Sequence, residues 1–378
     1  MARPDSILIV APVPPPSGGM ALQARLLERL LKRDSVPTRF LPSNFALPRR
    51  LSLCERVPGL RTLLRFLLIW GRLRQEVRQA AVIHVFAASW LYFFMVVCPA
   101  ILVGRIYRKR TILNYRGGDA RRFFKRWGWL VKPVVRRADV ITTPSAFLGE
   151  VIHDVFAVPV AIVPNILDLS AFTFRRRTDF RPNILVSRNL EKMYNIECVL
   201  RAFRQIQEWH PHARLWIAGT GSEEQRLRSF VTEWGLRNVR FLGNLSHEDI
   251  PAIYQQCDIA INASHIDNFP AALLEASAAG LAVVSTATGG IPFIYKNGVT
   301  ALLVEQNDWR ALAAAVDRIV RNESMAAKMT LESRTTVEQF TWENVRRTLF
   351  TVYGFAHEES GSSRFRKPGD LLAMGDRR

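Results

Sequence analysis

Cysteine is scarce in this chain of 378 residues, and Cys54, Cys98, Cys198 and Cys257 are too far apart to form a CxxC pair. That excludes a zinc knuckle and a disulfide framework and points to a reducing cytosol. His210 and His212 flank a proline with no Cys or acid cluster beside them, so no metal site is expected. An RNP motif, a zinc finger and a basic-region zipper are all missing, which argues against nucleic acid as a partner. No secretory leader is expected, because the apolar run at 7–10 is too short and is followed by Pro12, Pro14, Pro15 and Pro16. Only His84 and Ser89 are clearly polar between 82 and 104, close to the length of a membrane span. That stretch reads instead as a buried strand, a turn at 87–89 and a core helix containing Pro99.

Acids are scarce in one half only. Residues 1–180 hold 29 Lys+Arg against 11 Asp+Glu, a balance of +18, whereas 181–378 hold 23 against 22. The asymmetry points to a polyanionic surface met by the first half, and an anionic membrane fits where nucleic acid does not. Between 60 and 78, Arg61, Arg65, Arg72, Arg74 and Arg78 interleave with large apolar residues such as Leu63, Phe66, Leu67 and Trp70. Such a basic amphipathic stretch suits a bilayer interface.

What is present is a regular alternation of strand and helix, the pattern of parallel sheets covered on both faces. Strands are expected over 7–11, 82–86, 111–115, 140–143 and 160–163, with helices over 20–31, 90–105, 121–136 and 146–156. Arg175, Arg176 and Arg177, with Pro182, interrupt the pattern over 171–182, which reads as an interdomain linker. The alternation resumes with strands over 183–187, 214–218, 239–242, 259–262, 282–285 and 301–304, and an amphipathic helix follows over 342–355. The expected organisation is an N-terminal Rossmann-like domain over 1–175 and a second over 176–340. A closing helix over 341–356 and a polar, basic, disordered tail over 357–378 complete it.

The most informative stretch is 258–292. A short apolar strand runs into a polar turn holding Asp267, Asn268 and Phe269, then a small-residue helix carrying Glu275, a second strand and Gly289-Gly290. Two acids eight positions apart, one before a helix and one about two turns inside it, can address one ligand together. Free amides at that helix start favour phosphate or sugar oxygens.

This stretch resembles the donor-sugar motif of glycosyltransferase family 4, retaining enzymes of the GT-B fold that use nucleotide sugars, in a variant with a DNFP loop. The resemblance covers about 7–355 and is strongest over 183–305. It implies an α/β fold of two Rossmann-like domains facing across a cleft, with the C-terminal helix crossing back to the first. It implies that Arg188 reaches the donor diphosphate through its guanidinium fork, with Lys192 near the family lysine. Glu275 takes the place of the acid that holds the ribose hydroxyls, and Asp267 stands where a glutamate is commoner, near the donor sugar. The amides of Asn268 and Phe269 are candidates for sugar contacts, because Pro270 has none to offer. Gly18 and Gly19 match the glycine loop before the first helix, and Gly289 and Gly290 the later glycine turn, although Phe293 replaces its acid. Gly219, Gly221, Asn244 and Leu245 fall where the family lines the base pocket, and are equally readable as tight turns. Arg116 replaces a histidine; an arginine cannot act as a neutral base but can bind a phosphate or an acidic sugar.

The expected activity is a retaining, metal-independent glycosyltransferase with no cofactor beyond its co-substrate, a UDP- or GDP-sugar. The expected acceptor is a lipid-linked or membrane-proximal glycan, as in capsule, exopolysaccharide or lipopolysaccharide assembly. The expected place is the cytoplasm, peripheral at the inner face of the membrane. A GT-B-fold sugar-nucleotide epimerase is a rival reading, but it would want a histidine where Arg116 stands. A catalytically idle scaffold for a polyanion or a membrane is another, toward which Asp267, Phe293 and Arg116 point as departures.

Overall fold

The computed structural model describes residues 6–14, 19–246 and 248–355. The described residues form two compact units: one comprises those up to Pro144, Leu148–Pro164 and those from Arg346, the other Ser145–Phe147 and those within Asn165–Val345. Each is built on a six-stranded, all-parallel sheet, the α/β architecture expected from the alternation.

In the first unit the strands are β1 (Ile7–Ala11), β2 (Thr38–Pro42), β3 (Val82–Ala87), β4 (Arg110–Tyr115), β5 (Val140–Thr143) and β6 (Ala161–Ile162). Their order is β2-β1-β3-β4-β5-β6. Every residue of β1 and β3 is buried, as parallel strands covered on both faces require. The helices are α1 (Gly19–Arg33), α2 (Pro58–Val77), α3 (Cys98–Ile106), α4 (Ala120–Val135) and α5 (Ala146–Phe156). Steps β2 to β3, β3 to β4 and β4 to β5 all run the same way across the sheet. Right-handed crossovers therefore place α2, α3 and α4 on one face, where α2 packs on α3 and α3 on α4.

Strand β2 escapes the sequence reading because TRFLP carries a charge and ends in proline, features of an edge strand. The expected helix over 90–105 runs without interruption over 91–106, but after Trp90, which has a positive φ, it carries a π-helical turn, Phe93–Val97, directly before α3 and its Pro99; such a bulge is one way a helix accommodates a residue that lacks an amide hydrogen. Among the described residues no helix is long and apolar enough to cross a membrane.

The second sheet holds β7 (Asn183–Ser187), β8 (Arg214–Ala218), β9 (Val239–Gly243), β10 (Ile259–Asn262), β11 (Ala282–Thr286) and β12 (Leu302–Val304), ordered β12-β11-β10-β7-β8-β9. Its helices are α6 (Ile196–Trp209), α7 (Glu224–Glu233), α8 (Ile250–Gln256), α9 (Ala271–Ala278), α10 (Ile291–Ile294), α11 (Trp309–Arg321) and α12 (Glu323–Glu338). Helix α13 (Trp342–Tyr353) begins in this unit. From Arg346 it belongs to the first, where Tyr353 Oη lies 2.8 Å from His84 Nδ1 and Arg110 Nε donates to the Val352 carbonyl at 3.0 Å.

Residues 171–182, expected to be a linker, are instead fastened to the second unit. Arg177 is buried and donates to the carbonyls of Tyr254 at 3.0 Å, Cys257 at 2.6 Å and Ala279 at 2.7 Å. Its Nε also lies 3.2 Å from buried Asp258, which pairs with Arg175 as well. A run of arginines reads as solvated in sequence; here one is buried because five donors in a fixed fork reach three carbonyls and a carboxylate at once.

Candidate functional site

In the second sheet the chain runs outward through β7, β8 and β9, then returns so that β10 lies beside β7. The order reverses between β7 and β10, and loops leaving adjacent strands in opposite directions open a crevice at their carboxyl ends. Arg188 directly follows β7 and Asp267 lies in the loop after β10. Their side chains form an ion pair, and Arg188 Nε donates to Asn262 Oδ1, at the end of β10, at 3.2 Å. The guanidinium also lies 5.5 Å from the centre of the Tyr194 ring. Thus two residues 79 positions apart meet because of strand order.

Glu275 sits on α9, in reach of the same point. Its Oε2 lies 3.0 Å from the hydroxyl of Tyr254 on α8, and that hydroxyl is also 3.0 Å from the Ala272 carbonyl. Ser187 makes a further hydrogen bond to Tyr254. Burial pushes the Glu275 carboxyl up to about 7, against the opposing Tyr254 bond and Arg188 charge. Burial also raises Asp267, with Arg188 and then the Phe269 amide offsetting part of it. Two carboxyl groups and one guanidinium thus share a poorly solvated corner in which protonation is sensitive to any arriving charge.

The glycines hold these loops in place. A Cβ on Gly219, whose φ is +138°, would stand 2.0 Å from the Arg188 carbonyl, and one on Gly221 2.4 Å from that of Leu190. On Gly289 (φ +55°) it would stand 2.3 Å from the Asp267 carbonyl, and on Gly290 2.1 Å from that of Asn268. The Gly290 amide donates to the Asp267 carbonyl at 2.7 Å, and the Leu190 amide to that of Thr220 at 2.9 Å. Each glycine pair is therefore a floor on which an acid-bearing or arginine-bearing loop rests.

Other expected residues are placed less centrally. The Phe269 amide, a candidate for a sugar contact, donates instead to Asp267 Oδ1 at 3.2 Å, and its ring packs on Phe340 at 5.2 Å. The Asn268 backbone rests on Gly290. Lys192 is exposed on a 3₁₀ turn, Lys192–Tyr194, beside Tyr194. Asn244 is exposed, and Leu245 packs on the core beneath α8 and α9. In the first unit Arg116 follows β4, its guanidinium 5.1 Å from the Phe86 ring centre, and burial lowers it to about 10. Gly19 opens α1 with no atom near a would-be Cβ, and Gly18 lies outside the described residues. Sequence reasoning missed Tyr254, Asn262 and Tyr194; a buried tyrosine with a polar tip, one helix before the motif, was the available signal.

Comparison with known proteins gives the family of the chain. Residues 14–171 match the family described as Glycosyltransferase Family 4, and 173–336 that described as Glycosyl transferases group 1. Glycogen synthase of Mycobacterium tuberculosis is 27% identical over 311 residues, covering 78% of this chain and 73% of that protein. A D-inositol 3-phosphate glycosyltransferase of Corynebacterium jeikeium is 29% identical over 172 residues, 43% of this chain and 41% of that one. Among solved structures, Anabaena Alr3699/HepE in complex with UDP and glucose superposes with a TM-score of 0.71 at 16% identity, covering 93% of this chain and 99% of that one. Sucrose-phosphate synthase from Thermosynechococcus elongatus superposes at 0.73 with 19% identity, covering 93% and 98%. With both halves of the chain matched and two parallel α/β sheets of the GT-B kind, the protein belongs to glycosyltransferase family 4.

Proposed function

We propose that the enzyme transfers a sugar from a nucleoside diphosphate donor with retention of anomeric configuration and without a metal ion. The observation that carries this reading is the cluster of Arg188, Asp267 and Glu275 at the point where the strand order of the second sheet reverses. Arg188 binds the diphosphate and stabilises the charge that develops on it as the glycosidic bond to the donor breaks. Glu275 accepts from the ribose hydroxyls, Asp267 and the neighbouring Asn268 face the sugar, and Lys192 adds charge at the rim. Arg116 serves the first unit as an anion-binding group. Gly219, Gly221, Asn244 and Leu245 border the base. Alr3699/HepE holds UDP and glucose, which makes UDP-sugars the first donors to test here, ahead of GDP-sugars.

The acceptor in this reading is a lipid-linked or membrane-proximal glycan of the capsule, exopolysaccharide or lipopolysaccharide kind. The enzyme is then peripheral at the cytoplasmic face of a membrane, held by the +18 balance of residues 1–180. A thermal-shift panel of UDP-, GDP-, ADP- and TDP-sugars tests the donor through stabilisation by mass action. Transfer in EDTA, with the product anomer read by NMR, tests the chemistry. An inverted product, or loss of activity on chelation, overturns it.

A further inference from the structure

The positive charge of this protein is concentrated far more sharply than its halves show. Residues 49–137 hold 20 Lys+Arg against 3 Asp+Glu, so +17 of the chain's +19 lies in under a quarter of its length. Two of those three acids are already engaged, Glu55 by Arg65 and Glu76 by Arg39. Among the described residues, ten of the seventeen exposed large apolar side chains fall in the same segment. Helix α2 buries Ile69, Leu73 and Val77 and turns Leu60, Leu63 and Leu67 outward, one stripe at helical spacing. Helix α4 buries Phe123, Phe124 and Val131 while Trp129 is 73% exposed, with Leu130 beside it and Arg122, Lys125, Arg126 and Lys132 around it. Both helices belong to the single layer, α2–α3–α4, on one face of the first sheet.

We infer that this helical layer is a membrane-insertion surface, in which Leu63, Leu67 and Trp129 enter the headgroup and upper acyl region of an anionic bilayer while the surrounding arginines bind lipid phosphates. The inference deepens the membrane reading above and rests on it, but replaces attachment by charge alone with a second, apolar component. Leucines turned to water have no counterpart in a phosphodiester backbone, which separates this surface from a nucleic-acid site. A second copy of the chain would bring the same charge and repel. An anionic interface satisfies both features, since apolar side chains leave water as the cations meet phosphates.

Flotation of the full-length protein with vesicles of phosphatidylcholine, with and without phosphatidylglycerol, tests it. The protein binds the anionic vesicles, and a fraction stays bound at about 1 M salt, where the Debye length is ~3 Å. Leu63→Ser with Leu67→Ser, or Trp129→Ser, lowers partitioning by about tenfold or more and removes the salt-resistant fraction. Because these side chains are exposed, the melting temperature stays at the parental value. Brominated lipids quench a tryptophan signal that is present in the parent and absent from Trp129→Phe, a variant that keeps the fold and an apolar ring. Binding that vanishes in high salt, is indifferent to the serine variants and shows no Trp129 quenching overturns the insertion and leaves electrostatic docking standing. No binding to anionic vesicles removes both. RNA that displaces the vesicles and binds the serine variants as well as the parent assigns the surface to nucleic acid instead.

Discussion

Tyr254 and Glu275 share a 3.0 Å hydrogen bond between α8 and α9, and the same tyrosine hydroxyl lies 3.0 Å from the Ala272 carbonyl. A hydroxyl carries one hydrogen. The tyrosine donates toward both oxygens, and its hydrogen favours the carboxylate form of Glu275 against the burial that raises it.

Nucleotide binding should release a proton. Ribose hydroxyls donate, so they require the carboxylate, and Glu275 stands at about 7 before they arrive, with Arg188 and Tyr254 as the charged and titratable groups acting on it. UDP affinity should rise with pH and level off above that value, by about tenfold between pH 6 and pH 8. Calorimetry in buffers of different ionisation enthalpy counts the proton directly. Tyr254→Phe should move the midpoint upward, because the tyrosine bond opposes burial. Tight binding with no proton exchanged would mean that Glu275 is ionised before the ribose arrives.

The same carboxyl should set a pH dependence of stability. Its folded-state value lies above the usual 4.5, so the stability that it contributes is complete below pH 4.5 and lost as pH rises through about 7. A shift of this size is worth at most roughly 3 kcal/mol. Glu275→Gln stays neutral throughout and should melt above the parent near pH 8 while matching it near pH 5. Equal melting differences at both pH values would contradict this.

Donor use should depend on the two charges at the reversal point. Glu275→Gln or Arg188→Ala should weaken nucleotide-sugar turnover by at least about tenfold, or ~1.4 kcal/mol. Parental rates in both variants would remove the site from this corner of the sheet.

Glycines should separate by what stands beside them. Gly219→Ala and Gly290→Ala place a Cβ 2.0 and 2.1 Å from backbone carbonyls, so they should lower the melting temperature and nucleotide affinity together. Gly19→Ala meets nothing within 4 Å at the start of α1 and should be neutral or stabilise by a few tenths to about 1 kcal/mol. Thermal scans with and without UDP distinguish the two classes.

Arg177→Met should be among the costliest single changes in the second unit. It would remove the guanidinium that reaches the Tyr254 carbonyl and leave Asp258 and the carbonyls of Cys257 and Ala279 with Arg175, and Asn183 for Asp258, as their remaining donors. Breaking a buried pair from one side costs about 3–5 kcal/mol, measurable by chemical denaturation. A loss below 1 kcal/mol would show that water or Arg175 takes over.

Local chemistry written along the chain determined the α/β class, most of the strands, the DNFP and Glu275 motif, and the imbalance of charge. Strand alternation, small residues before a helix and a count of arginines are all properties of neighbours in sequence, so they are legible there. Only the tertiary structure decided what those residues meet. The pairing of Arg188 with Asp267 depends on β10 returning to lie beside β7, and the rise of the Glu275 carboxyl on its burial, which Tyr254 from another helix and Arg188 partly oppose. The burial of Arg177 depends on carbonyls and a carboxylate that come together only once the second sheet is assembled, and the outward leucines of α2 and Trp129 of α4 share a layer only because three crossovers have the same hand. Desolvation and long-range contact set these outcomes, and neither exists until the chain has folded.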